Sequence, residues 1–335
     1  MGRHVAADLP DLDRLVEDAC AAIGRDIEAL KVPRLMGVVL GGGYGRGEGG
    51  AREKQEGTAL SNDLDFFAVA DEGAPEAATI SAVGAALEPV AKKWTEKLGV
   101  DVDFAVKTRW RLKHDEERIM VQELLRGHFD VAGEKGERLF AGIELRPAES
   151  IPWMEAARLM MNRGMGLLFA KREIESAECE IDGSPAVGRR PSGEQRDFVS
   201  RNINKCVLGA GDARLITRRA YAWRAEDRAK ALGDGLYNAA TGWKFRPTDE
   251  PVCSWEKARE TWLAALDEVL GDSSGPSRSR TMRNVARWFV RRRTVGELRT
   301  VGLDPVVRIL RAVSRLVRER RGPGASLLRD WEVFN

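Results

Sequence analysis

The sequence has few of the side chains that bind zinc or form disulfides. It contains four cysteines, at positions 20, 179, 206 and 253, and three histidines, at positions 4, 114 and 128. No two cysteines have the C-x-x-C spacing of a zinc or redox motif. These absences argue against a zinc centre and a disulfide framework. A catalytic metal would have to be held by carboxylates, which favours magnesium or manganese.

Long apolar runs are also lacking. No stretch approaches the roughly 18 apolar residues that a membrane-spanning helix requires. The first residues, MGRHVAADLPDLDRL, lack the apolar core of a signal peptide, and Ala6 stands where a myristoylation site would have Ser or Thr. We therefore expect a cytoplasmic protein without a membrane partner.

Charge is balanced overall but unevenly distributed. The net charge is +2, yet the segment Pro276–Asn335 carries 15 Arg and no Lys against 5 acidic residues, a balance of +10. This Arg-rich C-terminal segment predicts a contact with nucleic acid or another polyanion. The alternative is a solvated face on a helix that is packed by its own apolar stripe.

The length of 335 residues favours two domains over one compact core. We predict an α+β domain over residues 1–148 and an α-helical domain with the basic segment over residues 149–335. Apolar runs and alternation predict strands at 35–40, 61–69 and 100–106. Apolar spacing of three and four residues predicts helices at 11–30, 77–98, 151–172 (with its apolar face interrupted at 162–164), 195–223, 252–270, 281–293 and 304–321.

A glycine cluster follows the first predicted strand, with seven glycines in the segment GGGYGRGEGG at 41–50. Glycine lets the backbone turn sharply and bring its N–H groups close to an anion such as phosphate. Arg46 would add a fork of donors, and Glu48 would brace the turn or pair with Arg46. The alternative is a flexible solvent loop. The G-x-G-x-x-G at 45–50 does not predict a dinucleotide fold, because AREKQEG after it is no crossover helix.

Carboxylates alternate with apolar residues in two of the predicted strands. Asp63 and Asp65 share one face of the first, and Asp101 and Asp103 share one face of the second. Neighbouring carboxylates repel each other unless something neutralises them, and a divalent cation is the natural partner. A strand, a crossover helix and an adjacent strand would bring a third carboxylate close to Asp63 and Asp65.

These three parts, in this order, resemble the DNA polymerase β-like nucleotidyltransferase superfamily. The matching residues, within 35–106, are Gly42-Gly43-Tyr44-Gly45-Arg46-Gly47-Glu48, Asp63-Leu64-Asp65 and Asp103. The resemblance implies a small mixed β-sheet nucleotidyltransferase domain followed by an α-helical domain. One departure is Gly43, where many members have a serine that contacts a terminal phosphate.

The resemblance also implies roles for individual residues. Asp63 and Asp65 would hold two Mg²⁺ ions, or Mn²⁺, on a nucleoside triphosphate, and Asp103 would ligate the acceptor-side ion, with Asp101 as its rival. The triphosphate would be bound by Gly42, Gly43, Arg46, Gly47 and, from the helical domain, Lys205, with Arg163 and Arg201 as further candidates.

The implied reaction moves a nucleoside monophosphate to a hydroxyl of an acceptor and releases pyrophosphate. The sequence does not determine the acceptor, which could be a small molecule, a protein or RNA. The alternative function is a catalytically weak nucleotide- or RNA-binding regulatory module, such as the neutralising partner of a toxin. A pure binder has no need to gather carboxylates that repel each other, which favours the enzyme.

Overall fold

The computed structural model describes residues 2–54, 57–71, 75–178, 193–271 and 304–333. The chain divides into two compact units. The first extends to Pro147 and includes Lys244–Pro247, and the second comprises Ala148–Trp243 and the residues from Thr248 onward. The α+β class with a small mixed sheet is confirmed. The helix predicted at 281–293 lies outside the described residues.

The first unit combines short strands with helices at both faces of a sheet. In chain order its elements are α1 (Pro10–Leu30), β1 (Leu35–Leu40), α2 (Gly42–Gly45), β2 (Ala51–Lys54), β3 (Gly57–Leu60), β4 (Leu64–Ala70), α3 (Glu76–Leu98), β5 (Val102–Thr108), α4 (Arg109–His114), α5 (Ile119–Arg126), β6 (Phe129–Gly133) and α6 (Gly136–Leu139). The strands predicted at 61–69 and 100–106 thus begin later, at Leu64 and Val102. Strand β6 was not predicted.

Four strands form the main sheet, in the order β5-β4-β1-β6. Strands β4 and β5 are parallel, as the crossover through α3 requires, whereas β1 runs antiparallel to both β4 and β6. Strands β2 and β3 form a separate antiparallel pair. The sheet is therefore mixed, and β4 lies at its centre beside β1 and β5.

The alternation along β4 places apolar side chains on both faces of the sheet. Leu64 and Phe66 are fully buried in one core cluster with residues of α1 and α3. Val69 is buried in a second cluster on the other face, with α5 residues such as Leu124. Because side chains alternate along a strand, Asp65 shares its face with Val69 and not with Leu64.

The second unit is helical. After a 3₁₀ turn (Ala148–Ser150) its helices are α7 (Trp153–Glu178), α8 (Gly193–Thr217), α9 (Ala225–Leu232), α10 (Gly235–Phe245), α11 (Trp255–Gly271), α12 (Pro305–Glu319) and α13 (Ala325–Glu332). The last two residues of α10, Lys244 and Phe245, belong to the first unit.

Helix α7 runs without a break through 162–164, where the sequence indicated an interruption of the apolar face. Gly164 lies at a close packing contact within this helix. A Cβ atom there would lie 2.6 Å from the Trp262 ring and 2.6 Å from Val313. The glycine therefore permits close approach of neighbouring side chains inside a continuous helix.

Helix α12 buries the apolar stripe that the sequence indicated. Its buried residues include Val306, Ile309, Leu310, Val313 and Val317. On the exposed side, Arg318 pairs with Asp267 at 2.9 Å, and the following Arg320 pairs with Glu256 at 3.2 Å. This arrangement supports the alternative of a solvated, internally paired face, and a polyanion contact stays a prediction.

None of the helices in the described ranges combines the length and apolarity that crossing a bilayer requires.

Candidate functional site

Two of the predicted acidic residues lie side by side on the sheet. Asp65 in β4 is the register partner of Asp103 in β5. Paired residues of parallel strands project from the same face, so these two carboxylates share one face. Asp63 and Asp101 immediately precede the same strands, and the Leu64 N–H donates to the Asp101 carbonyl at 2.8 Å. The acidic residues are thus gathered at the beginnings of β4 and β5.

The carboxylates interact electrostatically. Burial raises the pKa of Asp103 above its ordinary value, and the negative charges of Asp63 and Asp101 raise it further. A raised pKa means that the folded environment of Asp103 disfavours the charged form of its carboxylate. The strand ends therefore carry an unfavourable concentration of negative charge. The register favours Asp103 over Asp101 as the partner of Asp65.

The glycine turn packs against Asp65. The Gly41 N–H donates to the backbone carbonyl of Asp65 at 2.8 Å. Gly42 has a φ of +58°, and a Cβ atom there would lie 2.2 Å from the Asp65 carboxylate oxygen. Any other residue would meet both left-handed backbone strain and this carboxylate. Gly47, with a φ of +72°, provides the second left-handed position of the turn.

Gly43 has a local packing reason to lack a side chain. The turn folds back so that the Glu48 N–H donates to the Gly43 carbonyl at 2.8 Å. A Cβ atom at position 43 would lie 3.2 Å from the Glu48 backbone oxygen, a tight contact that a small shift of the neighbouring backbone would have to relieve. Gly42 and Gly43 open α2, where N–H groups have no intrahelical acceptor.

Arg46 is engaged by carboxylates of its own unit. Its Nη1 lies 2.9 Å from Glu123 Oε2, and its Nη2 lies 3.7 Å from Glu48 Oε2. The side chain is only 16% exposed. In this arrangement the guanidinium braces the turn against α5, and its predicted contact with phosphate stays a prediction.

Glu48 is a buried carboxylate at the end of the turn. It is 3% exposed, and Lys244 Nζ lies 2.6 Å from its Oε2 atom. The chain around Lys244 also packs on the residues after the turn, since Arg52 Nε donates to the Pro247 carbonyl at 3.2 Å. The sequence indicated a bracing role for Glu48. It gave no signal for Lys244, which is 196 residues away and belongs to no motif.

The cationic candidates of the helical region belong to the second unit. Lys205 is an exposed residue of α8. Arg201 pairs with Asp197 on the same helix at 2.9 Å. Arg163 packs over Gly209, where a Cβ atom would lie 2.4 Å from its Cγ atom. These contacts of Arg163 and Arg201 lie within the second unit, and the phosphate contacts predicted for Lys205, Arg163 and Arg201 stay predictions.

In the part of the chain that the structure describes, no three Asp, Glu, His or Cys side chains are grouped closely enough to hold a metal ion. The acidic site in this arrangement consists of the Asp65–Asp103 register pair, with Asp63 and Asp101 acting on Asp103 through their charge. No protein-family model, curated protein or solved structure matches this chain.

Proposed function

We propose that the chain is a metal-dependent nucleotidyltransferase that moves a nucleoside monophosphate from a nucleoside triphosphate to an acceptor hydroxyl and releases pyrophosphate. The observation that carries the proposal is the Asp65–Asp103 pair, held in register on one sheet face with a left-handed glycine turn against Asp65. The order β1, turn, β4, α3 and β5 supports the proposal, because the superfamily resemblance implies a strand, a glycine turn and carboxylates on two later strands. We propose that the acceptor is a small molecule or a protein.

Asp63, Asp65 and Asp103 offer only oxygen ligands, which is the donor chemistry that a hard divalent cation such as Mg²⁺ or Mn²⁺ prefers. In the described residues they are not grouped closely enough to hold an ion, so these three carboxylates would have to move closer together to bind Mg²⁺ or Mn²⁺. When bound, two such ions supply positive charge to the attacking and leaving oxygens of an in-line displacement. The chain's own contribution is positioning: the N–H groups of Gly42 and Gly43 would bind the triphosphate at the turn.

The test compares three single charge removals at neighbouring positions. Asp65→Asn and Asp103→Asn should each reduce magnesium-dependent pyrophosphate release by at least a hundredfold, since each removes a proposed ligand. Asp101→Asn is the matched control, because it removes the same charge from the same strand end, and should stay within a few-fold of wild type. Loss in Asp101→Asn with retention in Asp103→Asn would transfer the role to Asp101. Wild-type activity in all three would refute the proposed site.

A stability measurement separates function from folding. Because burial and its acidic neighbours raise the Asp103 pKa, the charged residue costs stability near neutral pH, and Asp103→Asn should unfold at the same or a higher urea concentration. This advantage should shrink as pH falls toward the ordinary pKa of about 3.9, where wild-type Asp103 also becomes neutral. A stable but inactive Asp103→Asn variant is the signature of a functional carboxylate. Destabilisation would indicate a structural role instead.

Two observations favour the alternative, a catalytically weak nucleotide- or RNA-binding regulatory module. The described side chains do not form a three-acid metal group, and Arg46 is occupied by Glu123 and Glu48. In that case the wild-type protein would bind a nucleoside triphosphate or RNA without releasing pyrophosphate. Equilibrium binding measured beside the turnover assay distinguishes the two functions.

A further inference from the structure

We propose that the hydroxyl group of Tyr44 is a positioning group for Asp63. The proposal rests on the proposed function, because positioning matters only if Asp63 takes part in the reaction. Tyr44 lies inside the glycine turn, and its side chain is 1% exposed. It contributes no atom to the predicted ligand set, so its role would be to hold together the turn and the segment before β4 that contains Asp63.

The Tyr44 hydroxyl joins the two ends of the β2–β3 hairpin. It donates to the carbonyl of Gly50, just before β2, at 2.7 Å. It also accepts from the N–H groups of Ser61 at 3.2 Å and Asn62 at 3.5 Å, just after β3. Asn62 directly precedes Asp63. One oxygen atom therefore closes the base of the hairpin and fixes the backbone that leads into the acidic site.

The backbone on the other side of Asp63 is fixed by the sheet. The Leu64 N–H donates to the Asp101 carbonyl at 2.8 Å, at the start of the parallel β4–β5 pairing. Asp63 thus lies between a sheet hydrogen bond on one side and the Tyr44 hydrogen bonds on the other. Only the second constraint connects Asp63 to the proposed phosphate-binding turn through a side chain.

The tyrosine itself is firmly held. A Cβ atom at Gly49 would lie 2.1 Å from the Tyr44 ring, so the ring packs directly on that glycine. The His4 Nδ1 atom lies 3.0 Å from the Tyr44 carbonyl oxygen, and the His4 carbonyl accepts from the Gly49 N–H at 2.9 Å. A rigid ring gives the hydroxyl a fixed position, which a positioning group needs.

The test is Tyr44→Phe, which keeps the ring packing and removes only the hydroxyl. Loss of its hydrogen bonds should lower kcat for nucleotide transfer on the order of tenfold, with the KM for the nucleoside triphosphate little changed. Tyr237→Phe is the matched control. Tyr237 is also buried, and its hydroxyl donates to Asp212 at 2.5 Å, but it belongs to the second unit. Both variants should lose stability, and only Tyr44→Phe should lose kcat.

Amide exchange measured by NMR supplies a readout that does not depend on activity. In Tyr44→Phe the Ser61 and Asn62 amides should exchange about tenfold faster than in wild type, and in Tyr237→Phe they should not change. If the wild type is inactive, the proposed function fails, and exchange alone decides whether Tyr44 holds this segment. Unchanged exchange, or a Tyr44→Phe kcat equal to that of wild type or Tyr237→Phe, would overturn the positioning role.

Discussion

The ion pair between Glu48 and Lys244 makes a stringent prediction about the first unit. Replacing Lys244 with Met removes the ammonium group and leaves the Glu48 carboxylate, 3% exposed, with the Arg46 guanidinium at 3.7 Å. Removing one partner of a buried pair costs about 3–5 kcal/mol. Lys244 is 20% exposed, and the Arg46 guanidinium partly compensates for the lost charge. We therefore expect Lys244→Met to lower the free energy of unfolding by about 3 kcal/mol, the lower end of this range.

The assay should report on the first unit alone, because a chain with two compact units need not unfold in one step. Protection of β1 and β4 amides against hydrogen exchange provides that measure. Lys92→Met is the matched control, since Lys92 pairs with Glu88 at 2.9 Å in the same unit but both side chains are mostly exposed. It should leave the protection unchanged.

A double-mutant cycle with Glu48→Gln then tests the pairing itself. If the two side chains stabilise each other, the double variant should be less destabilised than the sum of the single variants, by about 1 kcal/mol or more. A Lys244→Met variant within about 0.5 kcal/mol of wild type would refute the reasoning, because that is the range of an ordinary surface substitution.

Three further predictions concern other parts of the chain. Gly42→Ala should destabilise the first unit by about 2 kcal/mol and abolish transfer, since a Cβ atom would meet the Asp65 carboxylate at a φ of +58°; urea unfolding and the transfer assay check this. Hydrogen bonds from Arg111 hold the pKa of Glu76 below its ordinary value, so the stability that this pair adds should be complete above about pH 5 and lost at lower pH, as a pH series of urea midpoints for wild type and Arg111→Met would reveal. Trp262→Ala should cost about 3–5 kcal/mol in amide protection of the second unit, because Trp262 is fully buried.

The sequence predicted the features that depend on local patterning. Alternation predicted that Leu64 and Phe66 lie on the face opposite Asp65, and both are buried in the core. The strand–helix–strand pattern predicted a third carboxylate, Asp103 or Asp101, close to Asp63 and Asp65, and Asp103 is the register partner of Asp65. The glycine cluster predicted a sharp turn, and Gly42 and Gly47 have left-handed backbones. In each case a few neighbouring residues determine the conformation.

Features that depend on distant partners could not be predicted. Strand β6 is only five residues long, which is too short for an alternation of apolar and polar side chains to be recognised. Its pairing with β1 also shifts register, which no local pattern indicates. Gly164 interrupted the apolar face in the sequence, and its packing role could not be predicted because it depends on Trp262, nearly a hundred residues later. The pairing of Glu48 with Lys244 likewise exists only in the folded chain.

The most direct test of the central claim is transfer of label from nucleoside triphosphates. Wild-type protein and an Asp63→Asn/Asp65→Asn variant would be incubated with each of the four α-³²P-labelled nucleoside triphosphates and magnesium, with and without cell extract. We predict that wild type releases pyrophosphate and transfers label to a small molecule or protein, and that the variant does neither. Nucleotide binding without label transfer under every condition would contradict the enzyme and favour the regulatory module.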